Sequence, residues 1–370
     1  MRRTLLVALA LLLSLLPSAH ADFRIGGASI TQQSFDVRET ISLGGNDRGP
    51  AVAVLRDGTI LLGGGENGGT IYSYSLNSRE LLDLGNLISA KERIFDSRFA
   101  ITDIAVLSET KNRAKLLVSY PRLTPKRCVE VVVHRVILDR QKNSVSKRES
   151  WFRSKPCVPI SAVQHAAGRM EVIDGSSAYL TVGDLGYTEI DNRNKRGDLG
   201  SLFKITKARA IKVSQGHRNQ QGIVLLDGKN LLTSEHGPRG GDEINIIESG
   251  IDYGWPFVTY GAPYSQGDYV VPKSTGTHSG YREPIKHWTP SIAPTELVQL
   301  PVTAFGSYAS GLAMGTLRQE SLVFMKFVGG RIIETVEINL GKRIRDLDVL
   351  PDSRLIATTD SGELIIFESD

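Results

Sequence analysis

Cysteine is nearly absent: Cys128 and Cys157 are the only two in 370 residues. That excludes a disulfide-dense scaffold, and their spacing fits neither a zinc site nor a redox Cys-x-x-Cys pair. An excess of one charge sign is lacking as well. Setting aside Arg2 and Arg3, which lie in a leader described below, the totals of 44 basic and 40 acidic side chains become roughly 42 against 40, too balanced to give a field for nucleic acid. The basic stretches Lys111 to Lys115 and Arg140 to Arg148 are read as solvated loops of a mixed surface. Long apolar runs are missing beyond the first residues, so no membrane span is expected, and helical periodicity is scarce throughout.

The first residues carry a different signal. Arg2 and Arg3 precede an apolar run from Leu5 to Leu16, followed by Ala19-His20-Ala21. This is the pattern of a secretory leader, residues 1–21, with cleavage expected after Ala21 and a periplasmic or secreted destination. An oxidising compartment permits Cys128 and Cys157 to pair, closing a loop of about 30 residues and adding roughly 3 kcal/mol.

Past the leader a local pattern recurs. Asp57-Gly58, Asp174-Gly175, Asp227-Gly228 and Asp352-Ser353 each precede a short apolar strand, as in Thr59-Ile60-Leu61-Leu62 or Leu355-Ile356. Each reads as a tight turn between antiparallel strands. The turn spacings fit multiples of a unit of about 55 to 60 residues, and about 350 residues divided by such a unit gives six. The expected fold is therefore all-β, a six-bladed β-propeller with four-stranded antiparallel blades, as one domain over residues 22–370. The glycines of Gly63 to Gly69 suggest a phosphate loop at first sight. They lack the Lys-Ser/Thr and the following helix, so a blade-edge turn is the better reading. The Gly- and Tyr-rich stretch Gly261 to Arg282 reads as a long connecting loop beside the site.

The densest polar signal lies between Gly216 and Pro256. It contains Gly-His-Arg-Asn-Gln-Gln-Gly (Gly216 to Gly222), Glu-His-Gly-Pro-Arg-Gly-Gly-Asp-Glu-Ile-Asn (Glu235 to Asn245) and Tyr-Gly-Trp-Pro (Tyr253 to Pro256). Segments this rich in Gly, His, Arg and Asp are strand-end loops gathered around a site rather than core strands. Arg218, Arg318, Arg343 and Arg345 fall at expected blade ends, and arginine suits bidentate binding of carboxylates. The two-residue strand period puts Arg343 and Arg345 on one face. The competing reading is that each pairs with a local Asp or Glu.

Together with Trp288 to Pro294 (Trp-Thr-Pro-Ser-Ile-Ala-Pro), these motifs resemble the soluble quinoprotein glucose dehydrogenases and aldose sugar dehydrogenases. Those are six-bladed propellers that use pyrroloquinoline quinone and calcium. The resemblance is dense from about Ser161 to Pro294 and returns at Arg318 and at Arg343 to Asp346. It implies an exported oxidoreductase that oxidises the anomeric carbon of an aldose sugar and passes electrons to a small-molecule or respiratory acceptor, as a monomer or homodimer.

The same resemblance assigns roles. His165, ahead of Gly168-Arg169-Met170, falls at the place of the catalytic base, for which histidine is suited because it titrates near working pH. Asp184 matches the acid that orients it. Arg218 is counted both with the catalytic residues and, with Asn219, Arg343 and Arg345, as a cofactor contact, and Arg318 stands where some members have lysine. The catalytic calcium would be held by main-chain carbonyls of Gly237 and Pro238, and a second, structural calcium by Glu243 and the carbonyl of Tyr253, in keeping with calcium's preference for oxygen ligands. The alternative for Asp242 and Glu243 is strand capping or pairing with Arg239.

The pattern departs on the amino-terminal side. Where family members carry a Gln at the edge of sugar and cofactor, the nearest position here is Arg98, within Asp96 to Val106. That departure motivates a second reading, a non-catalytic propeller binding a sugar or cell-envelope partner through the same face. A metal-dependent lactonase would want several acidic side chains converging on the metal, which a carbonyl site does not supply.

Overall fold

The computed structural model describes residues 23–146, 148–160, 165–264 and 270–370. The expected leader, residues 1–21, and the start of the motif region at Ser161 lie outside these.

Six large antiparallel sheets are arranged as the blades of a propeller, in agreement with the sequence reading. The innermost strands are Ala51–Val54, Asp103–Glu109, Ala167–Asp174, Gln220–Leu226, Pro294–Gln299 and Ile344–Val349, and these define blades 1 to 6. Blades 1, 3, 4 and 5 have four strands each. In blade 2 the outer edge is divided among Ser144–Val145, Glu149–Arg153 and Val158–Pro159, all pairing with Cys128–Asp139. Blade 6 is completed by the chain start: Ala28–Asp36 pairs with Glu363–Ser369, from Ile30 opposite Ser369 to Asp36 opposite Glu363, and Phe23–Ile25 adds a fifth strand. This pairing closes the ring.

The second strand of a blade, such as Ile60–Gly64, Leu312–Thr316 or Leu355–Thr359, is buried on both faces and reads as a continuous apolar or small-residue run. Outer strands such as Ala210–Gln215 and Arg331–Asn339 are largely exposed and polar. Six apolar clusters fill the spaces between neighbouring blades. Leu117, Val131, Leu180 and Phe203 lock blade 2 to blade 3. Leu61, Ile71, Leu116 and Val118 do the same for blades 1 and 2, and Val52, Leu62, Ile356 and Ile366 for blades 6 and 1.

The four Asp-Gly or Asp-Ser turns all join the first and second strands of a blade, so they share one face of the disc. Blade-to-blade connections enter the inner strands from the other face, which therefore collects the residues just before Ala167, Gln220 and Ile344. The chemistry-bearing motifs lie there.

A channel of about 360 Å³ runs on the axis, lined by all six inner strands. Each inner strand is a sheet edge with amide groups on its open side, and edge amides need partners. Carboxylates of neighbouring blades supply them. Asp346 accepts from Val52 N–H at 2.9 Å and Asp348 from Val54 N–H at 2.8 Å, joining blade 6 to blade 1. Asp103 accepts from Met170 N–H at 2.6 Å and Glu296 from Ile223 N–H at 2.9 Å. Arg169, fully buried, lies 2.8 Å from Asp346, 3.3 Å from Glu296 and 4.0 Å from Asp103. Burial works against its charge, but these three carboxylates overcome it and hold the guanidinium protonated.

One arginine does not balance the ring. Burial pushes Asp103, Glu171 and Asp348 up to about 7 each, and Glu296 well above the ordinary carboxylate range. A carboxyl whose native pKa is raised stabilises the fold fully below its unfolded value and loses that contribution as pH rises through the native value. Replacing Asp348 with Asn removes this dependence. The Asp348→Asn variant is expected to gain on wild type by about 2 kcal/mol of unfolding free energy between about pH 5.5 and pH 8.5. Denaturant titrations at the two pH values that show a constant difference would refute it.

Cys128 and Cys157 form a disulfide, the pairing that the sequence reading allowed for. It ties the turn after Arg113–Leu123 to the edge strand Val158–Pro159, a few residues before His165. Loss of both thiols in a Cys128→Ser/Cys157→Ser variant should cost about 3 kcal/mol of stability, read from urea midpoints under oxidising conditions.

Candidate active site

Three loops stack on the face opposite the Asp-Gly turns, and their backbones hold one another. The carbonyl of His165 accepts from Leu185 N–H at 3.3 Å, and that of Ala166 from Gly183 N–H at 3.2 Å. Asp184 N–H donates to the Arg218 carbonyl at 2.8 Å, and Gly200 N–H to that of Gly183 at 3.1 Å. Gly183 is the pivot, because a Cβ there would sit 1.7 Å from the His165 carbonyl oxygen. His165 itself has φ +51°, a left-handed conformation costly for a non-glycine residue and of the kind that clusters at functional sites.

The stacking brings together residues far apart in sequence. His165 Nδ1 lies 2.8 Å from Asp184 Oδ1, and Asp184 Oδ2 accepts from the indole N–H of Trp255 at 2.9 Å. Gly186 N–H also donates to Asp184 Oδ1, at 2.7 Å. Burial opposes the charge of Asp184, yet His165, Arg218 and these donors overcome it and keep the carboxylate ionised. An ionised acceptor at Nδ1 fixes the tautomer with its proton on Nδ1 and its lone pair on Nε2. Arg218 donates to that Nε2 at 3.0 Å, and to the carbonyls of Gly237 at 2.6 Å and His236 at 3.1 Å, while its guanidinium lies 5.4 Å over the Trp255 ring. Burial first, and then the Arg218 charge, pulls the His165 pKa below the ordinary histidine value.

Behind this centre, His217 is clamped between Glu235 at 3.0 Å and Ser214 at 2.9 Å and stacks on Tyr253. Glu235 also accepts from Arg218 N–H, so it fixes the backbone that carries the arginine. Asn219 is buried, with its carbonyl oxygen taken by Gln221.

The other expected anion contacts fall into two groups. Arg343 and Arg345 do share a face, and both converge on Asp360: Arg343 Nε at 2.9 Å, Arg345 Nε and Nη2 at 2.8 Å each. Arg343 also donates to the Leu317 carbonyl at 3.2 Å, beside Arg318. Burial opposes the charge of Asp360, but the two arginines overcome it and hold it down at about 2. Arg318 is exposed and makes no ion pair among the described residues. Arg98 forks onto Asp96, with Nε 2.9 Å and Nη2 2.6 Å from its carboxylate oxygens.

Around the Glu-His-Gly-Pro loop, Asp242 acts as a cap. It accepts from Gly237 N–H at 3.0 Å and from Ser291 Oγ, Ile292 N–H and Ala293 N–H at 2.6 to 2.8 Å, joining two motif loops. Glu243 pairs with His278 at 2.7 Å rather than with Arg239, and receives Asn245 at 3.2 Å. Among the described residues, the Gly237 carbonyl accepts only from Arg218, whereas the Pro238 and Tyr253 carbonyls accept no hydrogen bond. A cavity of about 10 Å³, room for one water-sized particle, is bordered by Glu235, Gly237, Glu243, Tyr253 and His278. No cluster of three or more His, Cys, Asp or Glu side chains among the described residues is arranged to hold a metal. A metal at this site would draw mainly on main-chain oxygens.

Sequence reasoning missed Trp255, Asp360, His217 and Glu235. Trp255 and Glu235 were part of quoted motifs, so the signal was present without a role. Asp360 sits in a turn with no motif, and only the sheet geometry brings it to the arginines. Trp255→Phe keeps a ring beneath Arg218 but deletes the N–H to Asp184, leaving the carboxylate more basic. The His165 imidazole should then titrate at higher pH than in wild type when followed by NMR; an unmoved titration would show that the indole does not tune the pair.

Comparisons with known proteins agree with this arrangement. The Glucose / Sorbosone dehydrogenase family model matches residues 47–366. Aldose sugar dehydrogenase YliI of Escherichia coli (strain K12) is 34% identical over 248 residues, which cover 60% of this chain and 64% of that protein, less than two thirds of its length. The crystal structure of the soluble aldose sugar dehydrogenase from Escherichia coli in the apo-form superposes with a TM-score of 0.75 at 22% identity, covering 92% of this chain and 99% of the other. The PQQ-bound form of an aldose sugar dehydrogenase from Streptomyces coelicolor gives 0.67 at 20% identity, with 92% and 98% covered. At these identities the two structures speak for the shared propeller fold, and the family match over most of the sequence carries the assignment: the chain belongs to the glucose/sorbosone dehydrogenase family.

Proposed function

We propose that the protein is an exported, pyrroloquinoline quinone- and calcium-dependent dehydrogenase that oxidises the anomeric carbon of an aldose sugar to the lactone. The observation that carries this reading is the His165 centre. A neutral imidazole, tautomer fixed by Asp184, with its Nε2 lone pair turned to a guanidinium at the mouth of a propeller, is built to accept a proton. A binding module has no use for such a pair.

The residues present fit the cofactor and the metal. Arg318 lacks an ion pair among the described residues, Arg343 and Arg345 outnumber the single carboxylate of Asp360, and Asn219 borders Arg218, a set suited to a tricarboxylate. The unpartnered carbonyl of Pro238, beside that of Gly237, suits calcium. At the second expected calcium position, the proton of His278 competes with a cation for Glu243 Oε1. When bound, pyrroloquinoline quinone with its calcium supplies the two-electron acceptor for sugar oxidation.

The chain's own groups do the rest. His165 Nε2 takes the proton of the anomeric hydroxyl, and Asp184, held by Trp255, stabilises the imidazolium that results. Arg218 shields Nε2 until an anionic group draws its guanidinium away, and the depressed pKa keeps the base neutral at pH values where an ordinary histidine is protonated. The disulfide supports an oxidising compartment, and no helix among the described residues is long and apolar enough to cross a membrane. Electrons then go to a small-molecule or respiratory acceptor.

Titration of calcium-loaded protein with pyrroloquinoline quinone, followed by an aldose panel with a dye acceptor, tests the reading. Calcium-dependent binding and aldose-driven dye reduction are expected, with the acidic limb of the rate profile below pH 6.5. His165→Ala should retain quinone binding and lose turnover by about 100-fold or more. Normal turnover in that variant would remove His165 as the base.

A further inference from the structure

The connection from blade 6 to blade 1 contributes a cation that no motif indicated. Arg48 lies in the loop between Ala28–Asp36 and Ala51–Val54, on the face that carries His165. Ser42 N–H donates to the Arg48 carbonyl at 2.8 Å, and Arg48 N–H to that of Ser42 at 3.0 Å. The next residue, Gly49, donates its N–H to Asp360 Oδ1 at 2.9 Å. A Cβ at Gly49 would lie 2.3 Å from the Thr359 carbonyl oxygen, so glycine is needed for the loop to press against the turn that holds Asp360. Asp360 therefore organises two segments at once: the one that carries Arg343 and Arg345, and the backbone beside Arg48.

The Arg48 side chain receives nothing in return. Among the described residues it makes no ion pair, and its Nε is buried without a hydrogen-bond partner. Asp360 is already engaged by two arginines and Gly49, and Asp346 by Arg169. Arg48 as a whole is half-buried, and Asp360 and Asp346 attract it only from a distance, so a buried Nε–H with no acceptor is left for a ligand to satisfy. Burial first, then the charges of Arg345 and Arg169, presses its pKa down to about 9.

We infer that Arg48 is a further anion-binding residue of the mouth, pairing through its guanidinium with a carboxylate of the cofactor alongside Arg343 and Arg345. The inference rests on the cofactor reading of the preceding subsection. Arg343 and Arg345 bind the one carboxylate of Asp360, Arg48 sits beside them on the loop that Gly49 pins to it, and Arg318 follows the Leu317 carbonyl that Arg343 binds; a polycarboxylate is the ligand class that suits such a set.

The test compares wild type, Arg48→Gln and Arg48→Lys as calcium-loaded apo proteins, measuring pyrroloquinoline quinone affinity by fluorescence quenching and apo stability by urea unfolding. Expected are an affinity loss of about 10-fold or more in Arg48→Gln, partial recovery in Arg48→Lys, and an apo urea midpoint in Arg48→Gln equal to or above that of wild type. Unchanged affinity in Arg48→Gln while wild type binds would overturn this inference alone. A lowered apo midpoint with proportionate affinity loss would make Arg48 a structural residue and equally overturn it. Failure of wild type to bind the quinone would overturn the cofactor reading itself, and this inference with it.

Discussion

Arg169 on the propeller axis is the contact on which the remaining structure depends. Every inner strand of a propeller is an edge, and its open amides face a channel where partner strands cannot reach them. Here carboxylates from neighbouring blades take up those amides, Asp346 and Asp348 from blade 6 reaching blade 1, Asp103 reaching blade 3, and Glu296 reaching blade 4. Three of these carboxyl groups then meet on one guanidinium. The same side chain donates to the Arg345 carbonyl at 3.1 Å, so the axis and the anion-binding wall are physically one network.

From that frame the site follows as a stacking problem. Loops entering blades 3 and 4 and the loop within blade 3 lie backbone on backbone, and Gly183 permits the closest approach. The polar side chains are placed by this contact and then tuned by charge. Asp184 is kept ionised by donors around it, His165 is kept neutral by burial and by Arg218, and Arg218 is held over Trp255. These local fields suit the proposed proton acceptance at His165 beside an arginine-rich pocket.

The surplus of positive charge at the mouth has a structural logic. Asp360 neutralises one arginine's worth of charge while fixing the position of two, and the remaining cations are held at close range by backbone and sheet register. A rigid, undercompensated cluster is preorganised for a carboxylate ligand, since the cost of assembling it is met by the fold before the ligand arrives.

Much of this was legible in the residues. The Asp-Gly turns announced the number of blades because only a few residue types close tight hairpins, and alternation placed Arg343 and Arg345 on one face because a strand repeats every two residues. The motif loops marked His165, Asp184, Arg218 and the Gly237-Pro238 carbonyls, and the first three meet, with Arg218 also reaching the Gly237 carbonyl. What the sequence could not determine was every contact between blades. Nothing local to Asp360, Trp255 or Arg48 marks the arginine pair, the carboxylate or the loop against which each packs, and the channel carboxylates read as ordinary polar positions on strands. Local propensity fixes hairpins and periodicity over a few residues. Partners tens to hundreds of residues apart become neighbours only when the ring closes, and with them come the burial and the charge that set each group's protonation.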